Sequence, residues 1–173
     1  MEQGLIHIYH GDGKGKTTCA FGLALRCAGC GEKVVILQLL KGGETGEVEA
    51  LSRFSNVELV RGNPAEKFTF QMNAAELAAV RAEHDRNFAE AVRLAQDARM
   101  LVIDELMAAW NKELIDRAAV LDFLDQKPER LEVVLTGRNP PEELLRRADY
   151  ITEMKKQRHP FDCGICARRG IEL

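Results

Sequence analysis

Short aliphatic runs alternate along this chain with longer segments of helical periodicity, and the alternation predicts an α/β fold with an open, mainly parallel sheet flanked by helices. Two further observations agree with it. A glycine-rich turn joins the first strand to the first helix, and two acids, Asp104 and Glu105, close an apolar run in mid-chain. Parallel sheets bind their ligands at the C-terminal ends of their strands, where both features fall. No repeat, low-complexity tract or Ser/Gly linker interrupts the 173 residues, so residues 1–173 are expected to form one domain.

In chain order, Leu5–Tyr9 reads as a compact strand and Lys16–Gly29 as a helix, with Ala20, Leu23, Ala24, Cys27 and Ala28 on one face. Val34–Leu40 reads as a buried strand. Residues 41–72 look irregular, with a short helix after Gly46 and a short strand at Val57–Val60. The longest helix is expected from Asn73, an N-cap residue followed three positions later by Glu76. Its stripe is Leu77, Val80, His84, Phe88, Ala91 and Ala95. Met100–Ile103 is a strand, Asp116–Gln126 a helix stopped by Pro128, and Val133–Leu135 a strand. Pro140–Arg147 is a short helix opened by prolines, and Tyr150–Met154 a last core strand.

Composition narrows the function. At 46% hydrophobic residues a sizeable core forms, and disorder is excluded. Basic residues number 24 against 27 acidic, a net charge of −3, which argues against nucleic acid as a partner. No apolar stretch approaches the roughly 20 residues that cross a bilayer, so no membrane partner is expected. No basic segment followed by a long apolar one opens the chain, and a cytoplasmic location is expected. Five cysteines, an odd number in a chain of this size, point to reduced thiols.

The segment from His10 to Thr18, HGDGKGKTT, carries the chemistry. The pattern G-x-x-x-x-G-K-[ST] is met at Gly15, Lys16 and Thr17, but His10 stands where its first glycine belongs. Gly11, Gly13 and Gly15 still supply a permissive backbone whose amides converge on phosphate oxygens at the positive end of a helix. Lys16 would neutralise phosphate charge, Lys14 would add a cation at the rim, and the Thr17 hydroxyl would face Mg²⁺. A Gly/Lys-rich surface turn would have the same composition; the strand before it and the helix after it favour a nucleoside triphosphate site.

Asp104 and Glu105 lie where an acid holds Mg²⁺ directly or through water. Successive strand side chains point opposite ways, so the two are expected to have different tasks, and spacing does not say which meets the metal. Thr136-Gly137-Arg138, at the end of another strand, would bring a hydroxyl and a guanidinium beside the phosphates.

With these residues assembled, the chain resembles the ATP-dependent corrinoid adenosyltransferases over nearly its full length. The resemblance is carried by residues 11–18 without the first glycine, residues 22–29, Phe68-Thr-Phe70, Ile103-Asp-Glu105, residues 134–138, residues 148–154, and the tail from His159 through the Gly-Ile-Glu at 170–172. It implies a phosphate-loop NTPase fold of the RecA-like type. It also implies a reaction in which Co(I) of a reduced corrinoid attacks the 5′ carbon of ATP and expels triphosphate.

By position, the resemblance assigns Gly11, Asp12, Gly13, Lys14, Gly15, Lys16, Thr17 and Thr18 to the triphosphate, with Arg138 beside it and Arg26 near the ribose. Thr17 and Glu105 would hold Mg²⁺. Lys16 and Thr17 would act in catalysis, with Phe68 and Phe70 wedged under the corrinoid to displace its lower ligand; Phe stands at 70 where Trp is common. Partners implied are ATP, cobalamin or another corrinoid, an electron donor such as a flavoprotein, and a second copy of the chain in a homodimer. An N-terminal helix that some relatives fold over the nucleotide has no counterpart before the first strand, so a more open site is expected. Displacement at carbon by a metal nucleophile needs alignment and charge neutralisation but no general base. A kinase or ATPase would release ADP, and a non-catalytic carrier would bind without turnover.

Other residues invite other readings. Cys27/Cys30 and Cys163/Cys166 form two C-x-x-C pairs, which a zinc site would need brought together; incidental thiols are the simpler reading. His84 reads as a core or interface histidine rather than a ligand. Lys155, Lys156, Arg158, His159, Arg168 and Arg169 are expected to face the triphosphate or the corrinoid.

Overall fold

The computed structural model describes residues 3–41, 43, 46–62, 67 and 69–172. Its strands are β1 (Ile6–His10), β2 (Val34–Gln38), β3 (Val57–Arg61), β4 (Met100–Asp104), β5 (Glu132–Gly137) and β6 (Tyr150–Glu153). Its helices are α1 (Lys16–Gly29), α2 (Gly46–Leu51), α3 (Ala74–Leu94), α4 (Leu106–Asn111), α5 (Arg117–Gln126) and α6 (Glu142–Leu145). The strands form one sheet in the order β3-β2-β4-β5-β1-β6, and every pairing is parallel.

β2 and β4, apolar at every position but the last, are buried on both faces and show how the core divides. Val34, Ile36, Met100 and Val102 pack with Ala20, Phe21 and Ala24 of α1. Val35, Leu37, Leu101 and Ile103 face the other way, toward Phe88 and Ala91 of α3, Trp110 of α4 and Phe123 of α5. Each such side chain taken fully out of water contributes roughly 1.5–3 kcal/mol. Helix ends follow local chemistry: Asn73 and Glu76 close a reciprocal capping box on α3, and the Asp116 carboxylate caps α5 through Ala118 and Ala119.

Three elements depart from expectation. β2 ends at Gln38 because Leu40 adopts a left-handed backbone, φ 57°, that turns the chain out of the sheet. α4 was not anticipated. β6 is an edge strand rather than a core one: among the described residues only β1 pairs with it, and all four of its residues are exposed. Its continuation matters for the site, because Met154 accepts from the Gly13 amide and donates to the His10 carbonyl, both at 2.7 Å.

Candidate active site

The glycine-rich turn leaves β1 and enters α1 through two left-handed residues, Gly11 (φ 114°) and Gly15 (φ 112°). The Met154 carbonyl packs against it. A Cβ on Gly11 or Gly13 would lie 2.4 or 2.6 Å from that oxygen, so the turn admits no side chain at either position. Lys16 folds back over the turn and donates to the Gly13 carbonyl at 2.8 Å. Burial, with Arg138 adding to it, lowers the proton affinity of this ammonium. Asp12 accepts from the Lys156 amide at 2.9 Å, which holds its carboxyl below the usual carboxylate range.

Behind the turn, Asp104 is fully buried and saturated. One carboxylate oxygen accepts from the hydroxyls of Thr17 (2.9 Å) and Thr136 (2.6 Å). The other accepts from Gln38 Nε2 (3.1 Å) and Lys41 Nζ (3.0 Å). Thr136 therefore braces the acids and does not face the phosphates, contrary to expectation, because it is buried and its proton is committed to Asp104. Asp104 and Glu105 were expected on opposite faces, yet both meet Lys41. Glu105 has left the strand with φ 61°, its amide donating to Thr136 Oγ1, and its carboxylate returns to within 3.3 Å of Lys41 Nζ.

Lys41 and Gln38 went unread in the sequence, which marks neither by spacing. Lys41 Nζ also donates to Thr17 Oγ1 at 2.9 Å. Burial alone would lower its proton affinity, but Asp104 and Glu105 outweigh that and raise it. His84 is buried, as expected, and its bonds define it. Nε2 accepts from the Leu40 amide (3.3 Å), so Nδ1 carries the proton to the Leu114 carbonyl (2.8 Å).

These groups open onto a cavity of about 600 Å³. Asp12, Gly13, Lys14, Gly15, Lys16, Thr17 and Thr18 line it with Gln38, Lys41, Glu105 and Arg138. Its far wall comes from the segment after β6, through His159, Phe161, Ile165, Cys166, Ile171 and Glu172. The expected basic tail is only partly turned to the cavity. Lys156 pairs with Asp162, and Arg168 pairs with Glu172, holding that carboxyl down to about 2.

The donor chemistry fits Mg²⁺. The Thr17 hydroxyl and Glu105 carboxylate are hard oxygens, and Gln38 Oε1 is a buried acceptor without a hydrogen-bond partner beside them. Among the described residues no three His, Cys, Asp or Glu side chains form a metal cluster, so phosphate oxygens and water would complete the shell.

Some expected residues are not brought to the cavity. Arg26 is exposed on the last turn of α1 and does not line it. Phe70 is 80% exposed on the 3₁₀ turn Thr69–Gln71, outside the lining, with Thr69 held by Lys112 just after α4. Phe68 lies outside the described residues. Cys166 lies at the cavity and Cys30 at the far end of α1, a helix of 14 residues spanning about 20 Å, so the two C-x-x-C pairs do not share one site. All five cysteines are free thiols.

A family model described as "ATP:corrinoid adenosyltransferase BtuR/CobO/CobP" matches residues 2–173. A corrinoid adenosyltransferase of Sinorhizobium sp. is 37% identical over 99% of this chain and 81% of its own length. Those of Pseudomonas aeruginosa and Escherichia coli K12 are 32% and 31% identical over 99% of this chain, and 85% and 86% of their own. Among solved structures, a KaiC-like protein, PH0186, of Pyrococcus horikoshii superposes with a TM-score of 0.52 at 15% identity, over 91% of this chain and 75% of that one. EssC (ATPases 2 and 3) of Geobacillus thermodenitrificans gives 0.53 at 13% identity, over 98% of this chain and 35% of that one. At such identities these two speak for the fold, an NTPase-like parallel sheet.

Proposed function

The chain belongs to the ATP:corrinoid adenosyltransferase family, and from that premise we propose how its residues divide the work. The enzyme transfers the 5′-deoxyadenosyl group of ATP to Co(I) of a reduced corrinoid and releases triphosphate. The observation that carries the site reading is the convergence of a glycine turn, Lys16, Thr17 and Glu105 on one cavity at the strand ends, with Asp104 buried behind Thr17.

Bond breaking leaves negative charge on the departing triphosphate, so the protein's task is to hold that group and stabilise its charge. The turn amides from Gly11 to Lys16, other than that of Gly13, which is committed to the Met154 carbonyl, meet its oxygens at the N-terminus of α1. Lys16, which bonds only a carbonyl in this structure among the bonds described, turns to the phosphates; Lys14 and Arg138 add charge at the rim. Mg²⁺, when bound, would supply further charge neutralisation. Thr17 and Glu105 would hold it, with Asp104 orienting the Thr17 hydroxyl from behind. Phe70, exposed on its turn, keeps its family-based place against the corrinoid, as Phe68 and Arg26 keep theirs. We read residues 1–173 as one catalytic domain acting as a cytoplasmic homodimer and supplied with electrons by a donor such as a flavoprotein. Among the described residues no helix is long and apolar enough to cross a membrane.

Incubation with ATP, Mg²⁺ and chemically reduced cobalamin under strict anaerobiosis tests the reading. The expected products are a photolabile Co–C bond and inorganic triphosphate. ADP in place of triphosphate, or binding without a Co–C product, would overturn it.

A further inference from the structure

Lys41 occupies an unusual position for a side chain that no motif marks. Its ammonium has three oxygen neighbours: Thr17 Oγ1 at 2.9 Å, Asp104 Oδ2 at 3.0 Å and Glu105 Oε1 at 3.3 Å. Two of the three belong to the groups proposed above to hold Mg²⁺. The Thr17 proton is committed to Asp104 Oδ1, so the hydroxyl accepts from Lys41 on one lone pair, and a divalent cation on the other would lie directly against the ammonium. An ammonium and a divalent cation on the same oxygens repel, and with no room between them for water the repulsion at that range is only weakly screened.

Two further observations point the same way. Gln38, a residue of the cavity lining, donates from Nε2 to Asp104 and leaves Oε1 buried without a hydrogen-bond partner. An ammonium seated on Thr17 and the acids leaves that acceptor unused, whereas the water shell of a divalent cation would supply the missing donor. The lysine is also delivered by a constrained backbone: Leu40 is left-handed at φ 57°, and its amide is held by His84 from α3. A surface lysine that merely found a carboxylate would need no such support.

We propose that Lys41 is the resident cation of the metal site, holding Thr17, Asp104 and Glu105 together until a divalent ion displaces it. The exchange frees a positive charge inside the triphosphate cavity, because Lys41 lines that cavity. Metal arrival and delivery of a further cation to the leaving group become one event. The identity of the incoming ligand rests on the adenosyltransferase reading; the exchange itself does not.

Mn²⁺ alone is the probe, followed by electron paramagnetic resonance on the nucleotide-free protein. Lys41→Met and Lys41→Gln should each bind Mn²⁺ about tenfold more tightly than the wild type, since the competing cation is gone. Equal or weaker binding, including no binding in any of the three, overturns the proposal. Should both variants fail to fold, the wild type answers through reductive methylation of its lysines read by mass spectrometry. Lys41 should react more slowly than the exposed Lys14 without metal and several-fold faster once millimolar Mn²⁺ is added. A Lys41 rate that Mn²⁺ leaves unchanged overturns the exchange. Neither measurement contains ATP or corrinoid, so failure of adenosyl transfer and failure of this inference are separate results.

Discussion

One wall of the cavity is made of strand ends and the other of the segment that follows β6, and different physics holds them. On the strand side Asp104 is fully buried and accepts four hydrogen bonds from three separate parts of the chain. On the tail side Phe161 is 72% exposed, Ile165 and Ile171 are exposed, and the ion pairs are short-range, Lys156 with Asp162 and Arg168 with Glu172. Enclosed hydrogen bonds to a charge are strong and costly to break, whereas exposed pairs are screened by water. The first wall is preformed for one charged ligand. The second can yield to a bulky one.

The largest effect should come from the preformed wall. Lys16→Ala is expected to lower adenosyl transfer about 100-fold or more, followed as Co–C product, because it removes a charge aimed at the leaving group. A drop no greater than that from a tail substitution would erase the distinction between the walls. Next, Asp104→Ala removes the hub and strands its donors, and should cost about 3 kcal/mol of unfolding free energy in urea titrations.

A smaller effect is set by pH through His84. Burial lowers its proton affinity below that of an exposed histidine, with the Leu114 hydrogen bond opposing. The unfolded chain therefore binds the extra proton first, so stability is complete above about pH 6.5 and declines as pH falls below it. The urea midpoint followed from pH 8 to about 5 should show this decline, and His84→Gln should flatten it. Smallest of all, Phe161→Ala should change stability by no more than about 0.5 kcal/mol while raising a substrate KM. A large loss of stability there would show that the tail wall is as rigid as the other.

Legibility in the sequence followed the same division. The limits of α1 and the capping box of α3 were readable because their determinants are local: a glycine-lysine turn, and Asn73 with Glu76. α4 was not, because Leu106-Met-Ala-Ala-Trp110 is apolar on every side and has no period to detect; it is a helix buried almost all round. β6 looked like core because its composition is that of a strand, and only the sheet order reveals an edge. At the site, the loop and acid pair were visible as spacing. The roles of Lys41, Gln38 and Thr136 depend on strands adjacent in space and distant in sequence. The convergence of Asp104 and Glu105 depended on one left-handed backbone at a glutamate, which alternation along a strand cannot foresee.

The Met154 carbonyl against the glycine turn, and the Lys156 amide on Asp12, tie positions 144 apart at the widest. Chains are made from the N-terminus at roughly 5–20 residues per second, so Asp12 leaves the ribosome 144 residues ahead of the Lys156 amide that braces it. During that interval the glycines are free to sample many conformations, and a triphosphate would find little to grip. The competence of this site is thus timed by synthesis: an enzyme truncated before β6 would carry every residue of its loop and lack the clamp that shapes it.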